Sequence, residues 1–103
     1  MAEIDFNGLD TAVHGPTRLG VLTVLQTDGA TDFTTLKQRL NLSDGALGPQ
    51  LLKLEEIGYL KCVKCFVDRR PKSTYSITPS GRRALLRYLD QMQAVIDAVR
   101  RRR

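Results

Sequence analysis

LSDGALGPQLLKLEEIG, running from Leu42 to Gly58, is the stretch whose reading decides the fold. Ser43 suits the cap of a helix, because its hydroxyl can accept an orphan backbone N–H of the first turn, and the Asp44 carboxylate suits the positive end of the helix dipole. From there Leu47, Leu51, Leu54 and Ile57 recur at offsets of four, three and three, which places them on one face of a helix. Gly58 then stands where a left-handed residue beyond the helix end belongs. The other face, made of Gly45, Ala46, Gly48, Pro49, Gln50 and Lys53, is small and polar and lets another body approach closely. Upstream, Asn41-Leu42-Ser43 is a short break after an earlier helical segment. Helix, short break and helix is the arrangement in which the second helix enters the major groove of DNA.

Working outward, the chain of 103 residues is read as one domain, 1–103, with room for a modest core and none for a separate ligand-binding domain. Any signal would have to be read by this fold itself, and the sequence offers no obvious small-molecule effector. No apolar run approaches the length of a membrane span, and residues 1–12 carry acids without a basic residue, unlike a secretory signal. A soluble, cytoplasmic protein without membrane contact is the expectation. The charge is divided unevenly: up to Gly58 there are four basic residues against eight acids, and from Tyr59 onward twelve against three, within a total of +5. A positive second half and a pI near 9.6 favour a polyanionic partner such as nucleic acid, although a charge run is more often only a solvated face.

Toward the N-terminus, Ile4, Phe6, Leu9 and Val13 space an apolar edge through residues 1–15, with a short helix expected from Leu9 to His14. Pro16 suits the first turn of the next helix, where its missing N–H costs nothing, and Leu19, Leu22 and Leu25 line one face until Asp28-Gly29. Asp32 is placed to cap a further helix reaching Leu40, with Phe33, Leu36 and Leu40 inward and Lys37 and Arg39 in solvent. Thr34 and Thr35 fall in its first turn, where hydroxyls and free N–H groups make good phosphate ligands; a reading as plain surface threonines has equal weight.

Toward the C-terminus, Tyr59 to Val67 and Thr74 to Ile77 have strand composition and bracket Asp68-Arg69-Arg70-Pro71-Lys72-Ser73, which predicts a β-hairpin with a basic tip. Arg69, Arg70 and Lys72, with Lys64 on the first strand, suit phosphates or a narrow minor groove. Thr78 and Pro79 then start a last helix. In it Leu85, Leu89, Met92, Ile96 and Val99 follow a four-three-four-three spacing, the seam of a coiled coil. A helix from Pro79 to Arg100 would be about 33 Å long, more than a small core can cover. The expected partner for Leu89, Met92, Ile96 and Val99, together with Ile4, Phe6, Leu9 and Val13, is a second copy of the chain. The run Arg100 to Arg103 complements the negative end of the helix dipole.

Four stretches together carry a family resemblance: HGPTRLGVLTVL (His14 to Leu25), LKQRLNLSDGALGPQLLKLEEIGYL (Leu36 to Leu60), DRRPKSTYSIT (Asp68 to Thr78) and TPSGRRAL (Thr78 to Leu85). In this order they resemble the winged-helix transcription regulators of the MarR, PadR and ArsR-like kind. The Gly48-Pro49 pair resembles the PadR-like helix, in which an aromatic residue often precedes the proline. The fold class implied is mainly α with a small β-hairpin, a winged helix-turn-helix with a core over 16–78 and a long C-terminal dimerisation helix in 79–103. The resemblance implies a homodimeric regulator on double-stranded DNA. Its groove-facing set would be Ser43, Asp44, Gly45, Ala46, Gln50 and Lys53, with Gln50 reading adenine, Lys53 on phosphate or guanine, and Ala46 against a thymine methyl.

Enzymatic chemistry finds no foothold: there is one histidine, no phosphate-cradling loop and no nucleophile-elbow motif. Cys62 and Cys65 form the one metal-like spacing. Structural zinc wants four ligands, His14 is the sole other soft candidate, and an odd spacing on a strand puts the two sulfurs on opposite faces. No cofactor and no metal is expected. Two other readings stay open, a winged helix used as a protein-interaction module and an ArsR-like metal or redox sensor through Cys62 and Cys65.

Overall fold

The computed structural model describes residues 4–101. Its elements run α1 (Pro16–Asp28), β1 (Thr31–Asp32), α2 (Phe33–Leu40), α3 (Asp44–Glu56), β2 (Leu60–Val67), β3 (Arg70–Ile77) and α4 (Pro79–Arg101), preceded by a 3-10 turn at Phe6–Gly8. The expected tail residues Arg102 and Arg103 lie outside the described residues.

Three of the four α-helices begin where a side chain satisfies a free N–H of the first turn. Pro16 opens α1, which has no side-chain cap. The Asp32 carboxylate accepts from the Thr35 amide at the start of α2, Ser43 Oγ accepts from the Ala46 amide at 3.2 Å, and Thr78 Oγ1 accepts from the Gly81 amide at 3.0 Å. Between α2 and α3 the chain turns at Asn41, whose φ of +53° is left-handed. The Leu42 amide then donates to the Lys37 carbonyl. At the far end of α3, Gly58 has φ +87°, and the Gly58 and Tyr59 amides donate back to the Glu55 and Leu54 carbonyls. That paired closure is the Schellman ending, which needs a residue free of the Cβ penalty.

The core gathers Val21, Leu22, Val24 and Leu25 of α1, Leu36 of α2, Leu47, Leu51 and Leu54 of α3, Leu60 of β2, and Ala84, Leu85 and Tyr88 of α4. Gly81 is required by close approach: a Cβ there would sit 2.3 Å from the Tyr59 carbonyl oxygen. Thr78 Oγ1 also donates to the Gly58 carbonyl at 2.6 Å, so the start of α4 is tied to the end of α3.

Several expectations are corrected. The sheet has three antiparallel strands in the order β1-β3-β2, because Thr31 and Asp32 pair with Tyr75 and Thr74; a two-residue strand is too short to leave a periodic signal. The hairpin loop is only Asp68-Arg69, both at positive φ, and Arg70 to Ser73 belong to β3 in unbroken register with Val67 to Lys64. Positive φ at both central residues is the type I′ turn that matches strand twist. Pro71 is tolerated inside β3 because it faces Phe66 in the pair next to the turn's closing pair, where its ring nitrogen points away from β2, and β1 does not reach that far. Ile57 is not in the buried stripe but stands past the helix end, 43% exposed. No helix runs from Leu9 to His14. Asp10 instead closes a turn there, its carbonyl accepting from the Val13 and His14 amides and its carboxylate from Ala12. Val13, expected at an interface between chains, is fully buried in this chain's own core.

Candidate nucleic-acid interface

The Leu47, Leu51 and Leu54 side chains pin one face of α3 against α1 and β2. With 100° per residue, the opposite face is led by Gly45, Pro49, Leu52 and Glu56, with Ala46 and Lys53 on its flank. Gly45 on this face and Gly48 at its edge meet nothing within 4 Å of an added Cβ, so the backbone is bare there. Leu52 is 56% exposed there. Leu52 belongs to the outward face by helical spacing and is missing from the face expected from the sequence, which held Gln50 instead.

The other predicted residues divide. Ala46, Lys53, Lys64, Arg69, Arg70 and Lys72 are exposed. Gln50 is not: it is half-buried, and its Oε1 accepts from Arg18 Nη1 at 2.8 Å. Arg18 also donates to the Thr11 and His14 carbonyls. The Gln50 amide oxygen is thus engaged as a strut between α1 and α3, where the sequence reading has both ends of the amide free for adenine. Asp44 pairs with Lys37 at 2.8 Å, so its carboxylate supports the α2–α3 corner and has no cationic character to offer a phosphate.

At the start of α2, Thr35 Oγ1 donates to Asp32 at 2.6 Å. That hydrogen bond, ahead of the backbone amide of Thr35 and the charge of Lys72, holds the Asp32 carboxyl below its usual value against a smaller opposing effect of burial. Thr34 and Thr35 are both exposed, but the Thr35 hydroxyl is engaged by the Asp32 carboxylate, whose negative charge disfavours a phosphate at this helix start.

Aromatic side chains lock the frame behind this surface. Tyr59 donates its hydroxyl to Asp10 at 2.6 Å, the main cause of its raised pKa. His14 Nδ1 and the Tyr88 hydroxyl lie 2.7 Å apart, joining the N-terminal segment to α4. Burial, and then the neighbouring Cys62 thiol, push Tyr75 up to about 12. Cys62 is half-buried and Cys65 exposed, and the regular register of β2 turns them to opposite faces. Among the described residues no three of His, Cys, Asp and Glu converge on one point.

The exposed helix after a tight turn, backed by a three-strand sheet whose two-residue turn is followed by Arg70 and Lys72 on β3, defines a winged helix-turn-helix of the DNA-binding class. The chain belongs to the winged helix DNA-binding domain family, whose sequence model matches residues 17–96. An uncharacterised protein of Methanocaldococcus jannaschii is 38% identical over 72 residues, covering 70% of this chain and 78% of that one. Among solved structures, a transcriptional regulator homologue from Pyrococcus horikoshii OT3 superposes with a TM-score of 0.79 at 31% identity, over 85% of this chain and 87% of that one. The structure of NadR in complex with 4-hydroxyphenylacetate matches at 0.70 and 21% identity, over 88% and 64%, and a MarR-family regulator from Silicibacter pomeroyi at 0.66 and 22%, over 85% and 58%. Family and fold are thus those of DNA-binding transcriptional regulators. No helix among the described residues is long and apolar enough to cross a membrane.

Proposed function

We propose that this chain is a homodimeric, sequence-specific regulator of transcription on double-stranded DNA, acting in the cytoplasm. In this reading α3 enters the major groove and the β2–β3 hairpin lies on the backbone or in the minor groove. The observation that carries it is the outward side of α3, bare at Gly45 and Gly48, in a chain whose hairpin tip exposes Arg69, Arg70 and Lys72. A helix without bulk can sit deep in a groove, and cations at the hairpin tip neutralise the phosphates on either side. Lys53 and Lys64 add phosphate contacts, and the Ser43 cap fixes where the helix starts.

Residues 16–78 would hold the DNA, and the segments before Pro16 and after Thr78 would hold the second copy. Support comes from α4, where Leu89, Ile96 and Val99 are exposed along one stripe, joined by exposed Phe6 and by half-buried Ile4, Leu9 and Met92. The lack of an obvious small-molecule effector in the sequence meets a counter-instance in NadR, whose structure holds 4-hydroxyphenylacetate. In this chain the recess lined by Ile4, Asp5, Gln91 and Ala94 measures about 210 Å³, below the roughly 300–1,000 Å³ usual for small-molecule sites.

Titrating salt against binding tests the reading. Arg69→Ala with Arg70→Ala should weaken all duplexes alike and lower the slope of log K against log salt by about one to two units, one for each phosphate no longer neutralised. Base preference should stay as in the parent. Unchanged affinity and slope would take the hairpin off the DNA and favour a protein-interaction module that meets an acidic partner.

A further inference from the structure

A helix that reads base edges by hydrogen bonding needs free donors and acceptors on its outward face, and α3 has almost none. Gln50 lies half-buried on the α1 side with its amide oxygen held by Arg18, and Asp44 is held by Lys37. What remains opposite the buried leucines is Gly45, Pro49 and Leu52, whose side chains have no polar atom, ending at the exposed carboxylate of Glu56. Glu56 repels phosphate, so the stretch that can lie against DNA stops before it. Lys53 on the flank supplies a charge that serves phosphate as readily as a base.

A leucine exposed by 56% in the middle of this face gains nothing from water. In the major groove the apolar feature that distinguishes one base pair from another is the 5-methyl group of thymine. With bare backbone at Gly45 and Gly48, the helix can approach until Leu52 and Pro49 touch that methyl layer. We propose that α3 selects its site by burying thymine 5-methyl groups against Leu52 and Pro49, with Leu52 the principal specificity residue and hydrogen bonding to bases secondary. This rests on the reading of α3 as the helix in the major groove.

The experiment compares thymine with uracil, which lacks only the methyl. Duplexes bound by the parent protein are selected from a random pool, and the preferred site is resynthesised with dU in place of dT. The parent should bind the uracil site about four-fold more weakly for each methyl it buries. Leu52→Asn should bind the thymine site more weakly than the parent does and should lose most of the thymine preference. Arg69→Ala with Arg70→Ala should keep it. Equal binding of both duplexes by the parent overturns the proposal while leaving DNA binding intact. So does a Leu52→Asn protein that still discriminates as the parent does, because Leu52 would then not be the residue that reads the methyl groups. Failure of the parent to bind any duplex would overturn the underlying DNA reading, and this proposal with it.

Discussion

Gln50 shows how a single side chain changes role between sequence and fold. On a helical wheel it lies about 60° from the centre of the buried stripe, close enough to α1 for Arg18 to reach it. A guanidinium bound to one amide oxygen and two backbone carbonyls stitches the N-terminal segment, α1 and α3 together. Gln50→Ala should therefore cost about 1–3 kcal/mol of stability, because a charged donor loses its acceptor in a partly buried place. Urea unfolding reads this directly, and a midpoint equal to the parent's would return Gln50 to the candidates for base reading. The role was not legible beforehand, because the partner lies 32 positions away along the chain. The Ser43, Asp32 and Thr78 caps were legible, since a cap acts within three residues of itself.

At the scale of elements, the helices could be read from the sequence because amphipathic periodicity and caps are local, and α1, α2 and α3 begin where Pro16, Asp32 and Ser43 place them. The hairpin was harder. Its six polar or proline-containing residues look like a loop, yet cross-strand pairing draws all but Asp68 and Arg69 into the ladder. Both of those hold positive φ without being glycine, a strained state in a turn type that favours glycine at the second position. Arg69→Gly should relieve about 0.5–1 kcal/mol of that strain and raise the thermal midpoint by a few degrees, while weakening DNA binding through removal of the charge. Stability and affinity would move in opposite directions. A variant that melts no higher than the parent would show that the turn is not strained at Arg69.

For the whole molecule, the extents of 58 × 24 × 22 Å reflect a helix that outruns its core. α4 has 23 residues, and Tyr88 is the last of them with a buried side chain. Ile96 is 42% exposed and Val99 68%, and leaving such side chains wet forfeits about 1.5–3 kcal/mol each. Pairing with a second copy would cover them and set two copies of α3 about one DNA turn, roughly 34 Å, apart, on an imperfect palindrome. Ile96→Asp with Val99→Asp should yield a monomer that keeps its helical circular dichroism, since the core ends before these residues, and that binds operator far more weakly. Sedimentation decides it: a parent that runs as a monomer at micromolar concentration, or a double variant that stays dimeric, removes the model.

What the sequence determined by itself is whatever depends on near neighbours. The α3 leucine stripe and its Schellman ending, the helix caps, the basic hairpin and the seam of α4 all follow from spacing and side-chain chemistry within a turn or two. What only the tertiary structure decided is which groups are already taken. Val13 went to the core, Gln50 to Arg18, Asp44 to Lys37 and Thr35 to Asp32, and Leu52 was left uncovered on the outward face of α3. The first three depend on contacts between separate elements, and Thr35 on a rotamer choice that puts its hydroxyl on the cap. Leu52's place opposite the leucine stripe follows from helical spacing, but that nothing else in the fold covers it is decided only by the tertiary structure.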